Sequence, residues 1–277
     1  MYVDLTSEQK ALRSELRAYF GDLVTDELRL ELRDSEGGGP EYTRILKQLG
    51  RDGWLGIGWP KEYGGQDRSP IEQYIFAEEI QRAGFPLPFL TLGTVGPTIM
   101  QFGTDEQKKR FLPPILRGEL HFAIGYSEPD AGTDLASLKT TAVRDGDDYV
   151  VNGTKVFTSL ADYADYIWVA ARTDPEAPKH RGISIMVVPT TAPGFKWTPI
   201  HTVSAARTTS TYYENVRVPV SDRIGPENQG WSLIVSQLNH ERVSLFSAGP
   251  IQRTFEEVCE WAREAELADG RRVIDQP

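Results

Sequence analysis

Hydrophobic residues recur at helical spacing through the first part of the chain, which predicts amphipathic helices packed through their apolar faces. The apolar positions of the first two helices are Leu12, Leu16, Tyr19, Phe20, Leu23 and Tyr42, Ile45, Leu46, Leu49. Three helix starts carry a capping box, in which two side chains three residues apart satisfy each other's backbone N–H groups. The boxes are Thr6 with Gln9, Ser69 with Glu72 and Thr104 with Gln107.

Glycine and proline mark the breaks between these helices. Gly37-Gly38-Gly39-Pro40 predicts a flexible surface loop, and Asp52 to Gly65 predicts a packed, irregular stretch rich in glycine and aromatic residues. The helix that begins after Thr104 is expected to stop before Pro113-Pro114. Residues 1–121 are therefore predicted to form an N-terminal helical domain.

The pattern then changes to short runs rich in Val, Ile, Thr, Tyr and Trp, which favour strands. The predicted strands are 149–151, 155–157, 166–171, 183–188 and 211–218, with turns at Asp145-Gly146 and Asn152-Gly153. This spacing predicts a small antiparallel barrel or sandwich over residues 122–226. Helical periodicity returns after Pro226 and continues through Trp261, so residues 227–277 are predicted to begin a C-terminal helical domain and the fold class is α+β.

Composition and charge exclude several classes of protein. The 277 residues carry a net charge of −10, which argues against a nucleic-acid partner. No apolar stretch approaches the ~20 residues of a membrane span, and no secretory signal follows Met1. The single cysteine, Cys259, excludes an internal disulfide, and the four histidines stand apart from any acidic or cysteine cluster. We expect a cytoplasmic protein without a metal site, whose histidines are satisfied or on the surface.

A carboxylate on an apolar helix face is the sharpest local anomaly. Ile234, Gln237, Leu238, Glu241 and Leu245 share one face of the last long helix. Burial without a partner would raise the pKa of Glu241, which suits a general base near neutral pH. From the residues alone, pairing with a neighbouring basic residue at the edge of the face is the favoured alternative.

The apolar run from Phe122 to Tyr126 predicts a strand that breaks into a polar loop, which continues to Asp134. Gly132 leaves room for a ligand to approach the backbone, and Ser127 and Thr133 offer hydroxyl donors to a cofactor or phosphate. A turn that merely links two strands is an equally good interpretation of the loop alone.

The sequence Tyr126-Ser127-Glu128-Pro129-Asp130-Ala131-Gly132-Thr133-Asp134 resembles the flavin-loop signature of the acyl-CoA dehydrogenase family. Four other stretches agree with that family in order and spacing, and the resemblance extends from about Leu5 to about Glu266. They are Trp59 to Gly65, Phe102 to Gln107, Val151 to Lys155 and Leu238 to Arg242. The resemblance implies an FAD-dependent dehydrogenase of acyl-CoA thioesters.

The same resemblance implies roles for individual residues. Glu241 would be the base that removes the α-proton while the β-hydrogen leaves as hydride to flavin N5, and Arg242 would help to place the acyl-CoA. The implied cofactor-binding residues are Tyr126, Ser127, Gly132, Thr133, Phe157, Thr158 and Ser159. Phe157 would pack on the flavin where many members of the family have tryptophan, and Asp130 stands where glycine is common.

In detail the chain is most similar to the base-bearing subunit of heterotetrameric bacterial enzymes that act on steroid side-chain CoA esters. Gly125 to Pro129, Tyr163 to Tyr166 and Gln237 to Arg242 carry this resemblance. It implies a second, related chain or a homo-oligomer as partner, and an electron acceptor.

Most of the family's C-terminal bundle is missing from the sequence, which leaves three alternatives open. The sequence is a fragment, the remainder is a separate polypeptide, or the chain is a reduced paralogue. A paralogue would be a non-catalytic assembly or acyl-CoA-binding subunit. An acyl-CoA oxidase is also compatible with Glu241, whereas a flavin-dependent hydroxylase has no need of that base.

Overall fold

A computed structural model describes residues 4–33, 35–203, 206–244 and 247–276, with the side chains of residues 241–244 outside the description. The α-helices of the described part are α1 (Ser7–Leu23), α2 (Asp26–Glu31), α3 (Pro40–Arg51), α4 (Pro70–Ala83), α5 (Gly96–Phe102), α6 (Asp105–Leu116), α7 (Gly230–Ser244) and α8 (Gly249–Glu264). A π-helical turn, Leu90–Val95, leads into α5, and single 3₁₀ turns fall in the stretch from Asp52 to Gly65.

The predicted helix starts are confirmed. Thr6, Ser69 and Thr104 each close a capping box at the start of α1, α4 and α6. The predicted end of α6 is wrong, because the helix runs through Pro113 and Pro114 to Leu116. A proline lacks the N–H donor but keeps its carbonyl, and those of Pro113 and Pro114 accept from the N–H groups of Arg117 and Glu119.

The expected surface loop before α3 is also corrected, since Gly37 and Gly38 are buried. A Cβ at Gly38 would lie 3.0 Å from the Tyr163 ring, and Gly38 has a left-handed φ of 87°. The carboxylate of Glu31 accepts from the N–H groups of Glu41 and Tyr42 at 3.0 and 2.7 Å, and thereby caps α3. The loop is therefore packed against the protein, and its glycines are needed for that packing.

The chain forms two compact units. The first unit comprises residues 1–29, 68–87 and 246–277, and it holds α1, α4 and α8. Phe20 and Phe76 pack α1 on α4 with ring centroids 5.8 Å apart, and Arg17 forms two hydrogen bonds to the buried carboxylate of Glu79. A Cβ on Gly249 would lie 2.4 Å from the carbonyl oxygen of Glu78, so α8 begins directly against the backbone of α4.

The second unit comprises residues 30–67 and 88–245 and is built on an eight-stranded sheet. Its strands are β1 (Phe122–Gly125), β2 (Thr141–Asp145), β3 (Asp148–Lys155), β4 (Tyr166–Arg172), β5 (Ile183–Pro189), β6 (Phe195–His201), β7 (Arg207–Pro219) and β8 (Arg223–Ile224). The order is β6-β7-β3-β2-β4-β5-β8, with β1 beside β4. The prediction of wholly antiparallel pairing is wrong for β1–β4 and β2–β4, which are parallel.

Of the two predicted turns, Asp145-Gly146 is found at the β2–β3 hairpin, where Asp145 faces Asp148. Asn152-Gly153 is not a turn and lies within β3, at a shift of register against β7. A Cβ at Gly153 would lie 2.4 Å from Thr140 Oγ1, so glycine lets the bulged strand pass close to its neighbour.

Candidate functional site

The polar loop begins where β1 ends at Gly125. Glu128 and Ala131 exchange backbone hydrogen bonds of 2.9 and 3.1 Å, which close a turn around Pro129 and Asp130. Ser127 is half-buried beside this turn, whereas Gly132 and Thr133 are exposed. A Cβ at Gly132 would meet no atom within 4 Å, so nothing in the described chain occupies the space beside that backbone.

A buried ion pair anchors the start of the loop to β3. The ammonium of Lys155 has no exposed surface, and it donates to Glu128 Oε1 at 2.8 Å and to the carbonyl of Tyr126 at 3.0 Å. The Glu128 carboxylate also accepts from the backbone N–H groups of Lys139 and Thr140 at 2.7 and 2.9 Å. These bonds fix the carboxylate and the start of the loop together.

The electrostatics of this pair follow from its burial. Burial lowers the pKa of Lys155 to about 8, and the charge of Glu128 opposes that fall. Burial also disfavours the ionised form of Glu128, but Lys155 and the hydrogen-bond donors hold the pKa of that carboxyl below its ordinary value. Both groups are therefore charged at neutral pH.

The segment after β3 runs beside the loop. The N–H of Val156 donates to the carbonyl of Ser127 at 2.9 Å, and the N–H of Thr158 donates to the carbonyl of Thr209 at 2.9 Å. Between these two bonds Phe157 has a left-handed φ of 58°, and the residue is 67% exposed. A bulky residue in this conformation is strained unless its surroundings impose it, and such residues cluster at ligand sites. Phe157 is thus not in a strand, contrary to the prediction for 155–157.

The two hydroxyl residues that follow Phe157 differ in exposure. Thr158 is fully buried, with its hydroxyl 3.4 Å from Thr211 Oγ1. Ser159 is half-buried, and its hydroxyl lies 3.1 Å from that of Thr208. Ser159 therefore has surface to offer to a ligand, whereas Thr158 lies in the interior next to Thr211.

The Tyr126 side chain points into the protein. Its hydroxyl accepts from Trp168 Nε1 at 3.0 Å and donates to Gln237 Oε1, and Tyr126 is only 7% exposed. Gln237 is fully buried on α7, as the apolar face of that helix predicts for Ile234 as well. The phenol group of Tyr126 is therefore hydrogen-bonded to two buried side chains within the protein.

The predicted base lies on α7. The backbone of Glu241 and Arg242 belongs to this helix, one turn after Gln237. Their side chains are outside the described part of the structure, and so is Leu245, the last position of the predicted face.

The residues that support the loop were not predicted from the sequence. Lys155 continues the inward side of β3, where Tyr149 and Val151 are also fully buried, and a lysine on a buried strand face is a signal for a buried partner. Arg172 was missed as well. Its guanidinium donates to the carbonyls of Ala136 at 2.7 Å and Arg181 at 3.0 Å, which ties the turn after the loop and the segment before β5 to β4.

The histidines are distributed nearly as predicted. His180, His201 and His240 are exposed, and the described residues contain no group of three or more potential metal ligands of the His, Cys, Asp or Glu type. His121 is buried against the Tyr163 ring, but its Nδ1 atom has no hydrogen-bond partner among the described residues, contrary to the expectation of a satisfied histidine. Burial, with a smaller contribution from the charge of Lys47, lowers the pKa of His121 to about 4, against the opposing charge of Asp165.

Among the described residues, every helix is too short or too polar to span a bilayer.

Three sequence models of one family match the chain. They describe the acyl-CoA dehydrogenase N-terminal domain over residues 6–119, the middle domain over residues 123–216 and the C-terminal domain over residues 228–277. Acyl-CoA dehydrogenase FadE26 of Mycobacterium tuberculosis is 58% identical over 281 residues, which cover 99% of this chain and 70% of the relative. Acyl-CoA dehydrogenase FadE29 of the same organism is 56% identical over 263 residues, covering 95% of this chain and 68% of the relative.

Solved structures agree with these sequence matches. The structure described as the Tcur3481-Tcur3483 steroid ACAD matches with a TM-score of 0.91 and 55% identity, covering 100% of this chain and 71% of that chain. The ChsE4-ChsE5 complex from Mycobacterium tuberculosis matches with a TM-score of 0.90 and 58% identity over 100% of this chain and 71% of that chain.

Proposed function

Because the chain belongs to the acyl-CoA dehydrogenase family of oxidoreductases acting on CH–CH bonds, we propose that it catalyses FAD-dependent α,β-dehydrogenation of an acyl-CoA thioester. The observation that carries the proposal is the junction between the polar loop and the segment after β3. The hydrogen bond from Val156 to Ser127 joins them, and the exposed Phe157 ring stands beside that bond. An aromatic side chain, the hydroxyls of Ser127 and Ser159 and open backbone at Gly132 are brought together where β1 and β3 end.

The residues present fit FAD. Phe157 offers a flat apolar surface for the isoalloxazine ring, and Ser127 and Ser159 offer hydroxyls at its edge. Thr133 and the open space at Gly132 suit a pyrophosphate, which needs donors and close approach of the backbone. Tyr126 and Thr158, which are buried, would support the cofactor-binding residues from within the protein. The chemistry that FAD supplies is acceptance of a hydride from the substrate β-carbon.

We assign the base to Glu241 and a substrate-placing role to Arg242. The support is their position on α7 and the family resemblance of Leu238 to Arg242. The Glu241 carboxylate would take the α-proton, and the electrons of that C–H bond would form the α,β double bond as the β-hydrogen leaves as hydride. The enoyl-CoA product would leave Glu241 protonated.

The solved relatives support a proposal for the substrate class and the partner. One is described as a steroid ACAD and another as a complex of two chains, each with more than half of its aligned residues identical to this chain. We propose a steroid side-chain CoA ester as substrate, a second, related chain as partner in a heterotetramer, and a separate electron acceptor.

The test is anaerobic bleaching of the flavin absorbance by a saturated steroid side-chain CoA ester. The FAD-loaded protein would be used alone and co-purified with a candidate related chain, and the wild type should bleach in a single turnover. Glu241→Gln should keep its FAD and lose bleaching by at least roughly 10²-fold, because the amide cannot accept the α-proton.

The matched control is Glu260→Gln on the exposed surface of α8, which should bleach like the wild type. Substantial bleaching by Glu241→Gln would show that the base lies elsewhere. Absence of bound FAD under both conditions would count against catalysis and favour a non-catalytic subunit.

A further inference from the structure

A chain of buried hydrogen bonds links the polar loop to α7. Trp168 Nε1 donates to the Tyr126 hydroxyl at 3.0 Å, and that hydroxyl donates to Gln237 Oε1. On its other side, Gln237 Nε2 donates to Thr94 Oγ1 at 3.2 Å, and Thr94 Oγ1 donates to the Leu90 carbonyl at 2.6 Å. We call Trp168, Tyr126, Gln237 and Thr94 the polar relay.

Both ends of the Gln237 amide are held, and the residue has no exposed surface. An amide buried in this way gains little net stability, because its hydrogen bonds mainly repay the loss of water. An apolar side chain of similar size would fill the same volume at about the same free energy if its partner were also apolar. The amide instead restricts the orientation of the side chain, because its oxygen must face Tyr126 and its nitrogen must face Thr94.

The elements joined by the polar relay are those of the proposed reaction. Tyr126 immediately precedes Ser127 in the polar loop, and Gln237 precedes Glu241 by four residues, so positions 237 and 241 share a face of α7. Sliding α7 by one residue would move position 237 by about 1.5 Å along the axis and turn it by about 100°. The hydrogen bond to Tyr126 would then be lost.

We propose that Gln237 is a positioning residue that, through Tyr126, fixes the register and rotation of α7 relative to the polar loop. The inference rests on the proposed function, in which the loop holds the cofactor and α7 carries the base. Proton and hydride leave from adjacent carbons, so the base and the cofactor must be placed together, and a misplacement of 1 Å is enough to slow such a step about 10²-fold. Gln237 acts on this distance without touching the substrate.

The test compares Gln237→Met, Tyr126→Phe and the double variant. Methionine keeps the length and removes both hydrogen bonds, and phenylalanine removes only the hydroxyl. Each single variant should reduce its flavin roughly 10- to 100-fold more slowly at saturating acyl-CoA, with FAD affinity within about threefold of the wild type. The double variant should be no slower than the slower single variant, because both changes break one link.

Ser236→Ala is the matched control. It removes one hydrogen bond of α7, 3.2 Å to Gln101, from the neighbouring position outside the polar relay, and it should leave the rate unchanged. A second readout independent of turnover is hydrogen exchange of the α7 amides in the FAD-free protein. Exchange should be faster in Gln237→Met and Tyr126→Phe than in Ser236→Ala.

The outcomes separate this inference from the proposed function. Wild-type rates in Gln237→Met and Tyr126→Phe, with Glu241→Gln inactive, would overturn the positioning role alone. Multiplicative losses in the double variant, or loss of FAD affinity in place of rate, would overturn it as well. Activity of Glu241→Gln would overturn the proposed function, whatever the polar relay does.

Discussion

At the scale of single residues, the loop from Tyr126 to Asp134 depends on a lysine with no exposed surface. Lys155 bonds Glu128 and the Tyr126 carbonyl at once, so its charge serves both the ion pair and the backbone of the loop. Replacing one partner of a buried pair leaves an uncompensated charge, which costs far more than loss of a surface pair. Lys155 should therefore matter for folding more than any exposed lysine of the sheet.

Lys155→Met should destabilise the protein by about 3 kcal/mol, because Glu128 would keep its two backbone donors but lose its counter-charge. Thermal unfolding should show a fall in Tm of about 6 to 12 °C. The control is Lys196→Met, which breaks an exposed 3.1 Å pair with Glu214 and should cost at most about 1 kcal/mol. Equal losses in the two variants would contradict the role given to Lys155.

His121 should make stability depend on pH between about 6.5 and 4. The folded state holds its pKa at about 4, below the ordinary value of 6.5, so the unfolded chain takes up the proton first as the pH falls. Stability should therefore be lost over this range, by about 3 kcal/mol when complete.

His121→Phe keeps an aromatic ring against Tyr163 and cannot be protonated. Its Tm should fall less than that of the wild type between pH 6.5 and 4. Parallel Tm curves for the two proteins would show that another group is responsible for the acid sensitivity.

Residue by residue, the sequence allowed the loop and the segment after β3 to be predicted as neighbours, because both match family motifs. It did not reveal that Tyr126 turns inward, since a phenol next to a polar loop suits a ligand and a core equally well. The partners that decide the matter, Trp168 and Gln237, lie 42 and 111 residues away in sequence. Contacts at such separation leave no local pattern.

At the scale of elements, local rules predicted starts better than ends. The capping boxes of α1, α4 and α6 are short-range chemistry, which a four-residue pattern contains in full. The continuation of α6 through Pro113 depends on the Pro113 carbonyl, which accepts from the N–H of Arg117 beyond the end of the helix. The bulge at Gly153 depends on the close approach of Thr140 from a neighbouring segment. Asn152-Gly153 therefore looked like a turn and proved to be strand.

Two glycines of the second unit allow a direct comparison. Gly153→Ala would place a Cβ 2.4 Å from Thr140 Oγ1 and 2.8 Å from its Cα, and it should cost about 1–3 kcal/mol of stability. Gly132→Ala meets no atom within 4 Å and should leave the stability of the FAD-free protein within about 0.5 kcal/mol.

The measurements are thermal unfolding without FAD and titration of the FAD-free protein with FAD. Under the proposed function, Gly132→Ala should weaken FAD binding even though it folds normally, because the added methyl group occupies space next to the loop backbone. Normal FAD affinity in Gly132→Ala would place the cofactor away from this glycine.

At the scale of the whole molecule, sequence order and spatial order differ. The first unit combines residues 1–29, 68–87 and 246–277, although the sequence pattern suggests helices, then strands, then helices. The sequence predicted α1 from its hydrophobic periodicity and the start of α4 from its capping box, and it indicated helical structure through Trp261. Which helices pack together is set by contacts across the intervening chain. Arg82 with Glu256 is one such contact, joining residues 174 positions apart.

The start of α8 against the backbone of α4 has a consequence for synthesis on the ribosome. α4 ends at Ala83 and α8 begins at Gly249, so translation at roughly 5–20 residues per second separates their emergence by about 10 to 30 s. During that interval α1 and α4 can pair, but the side of α4 that contacts Gly249 stays uncovered because α8 has not yet been synthesised. We expect this nascent intermediate to be the stage at which the polypeptide most needs a chaperone.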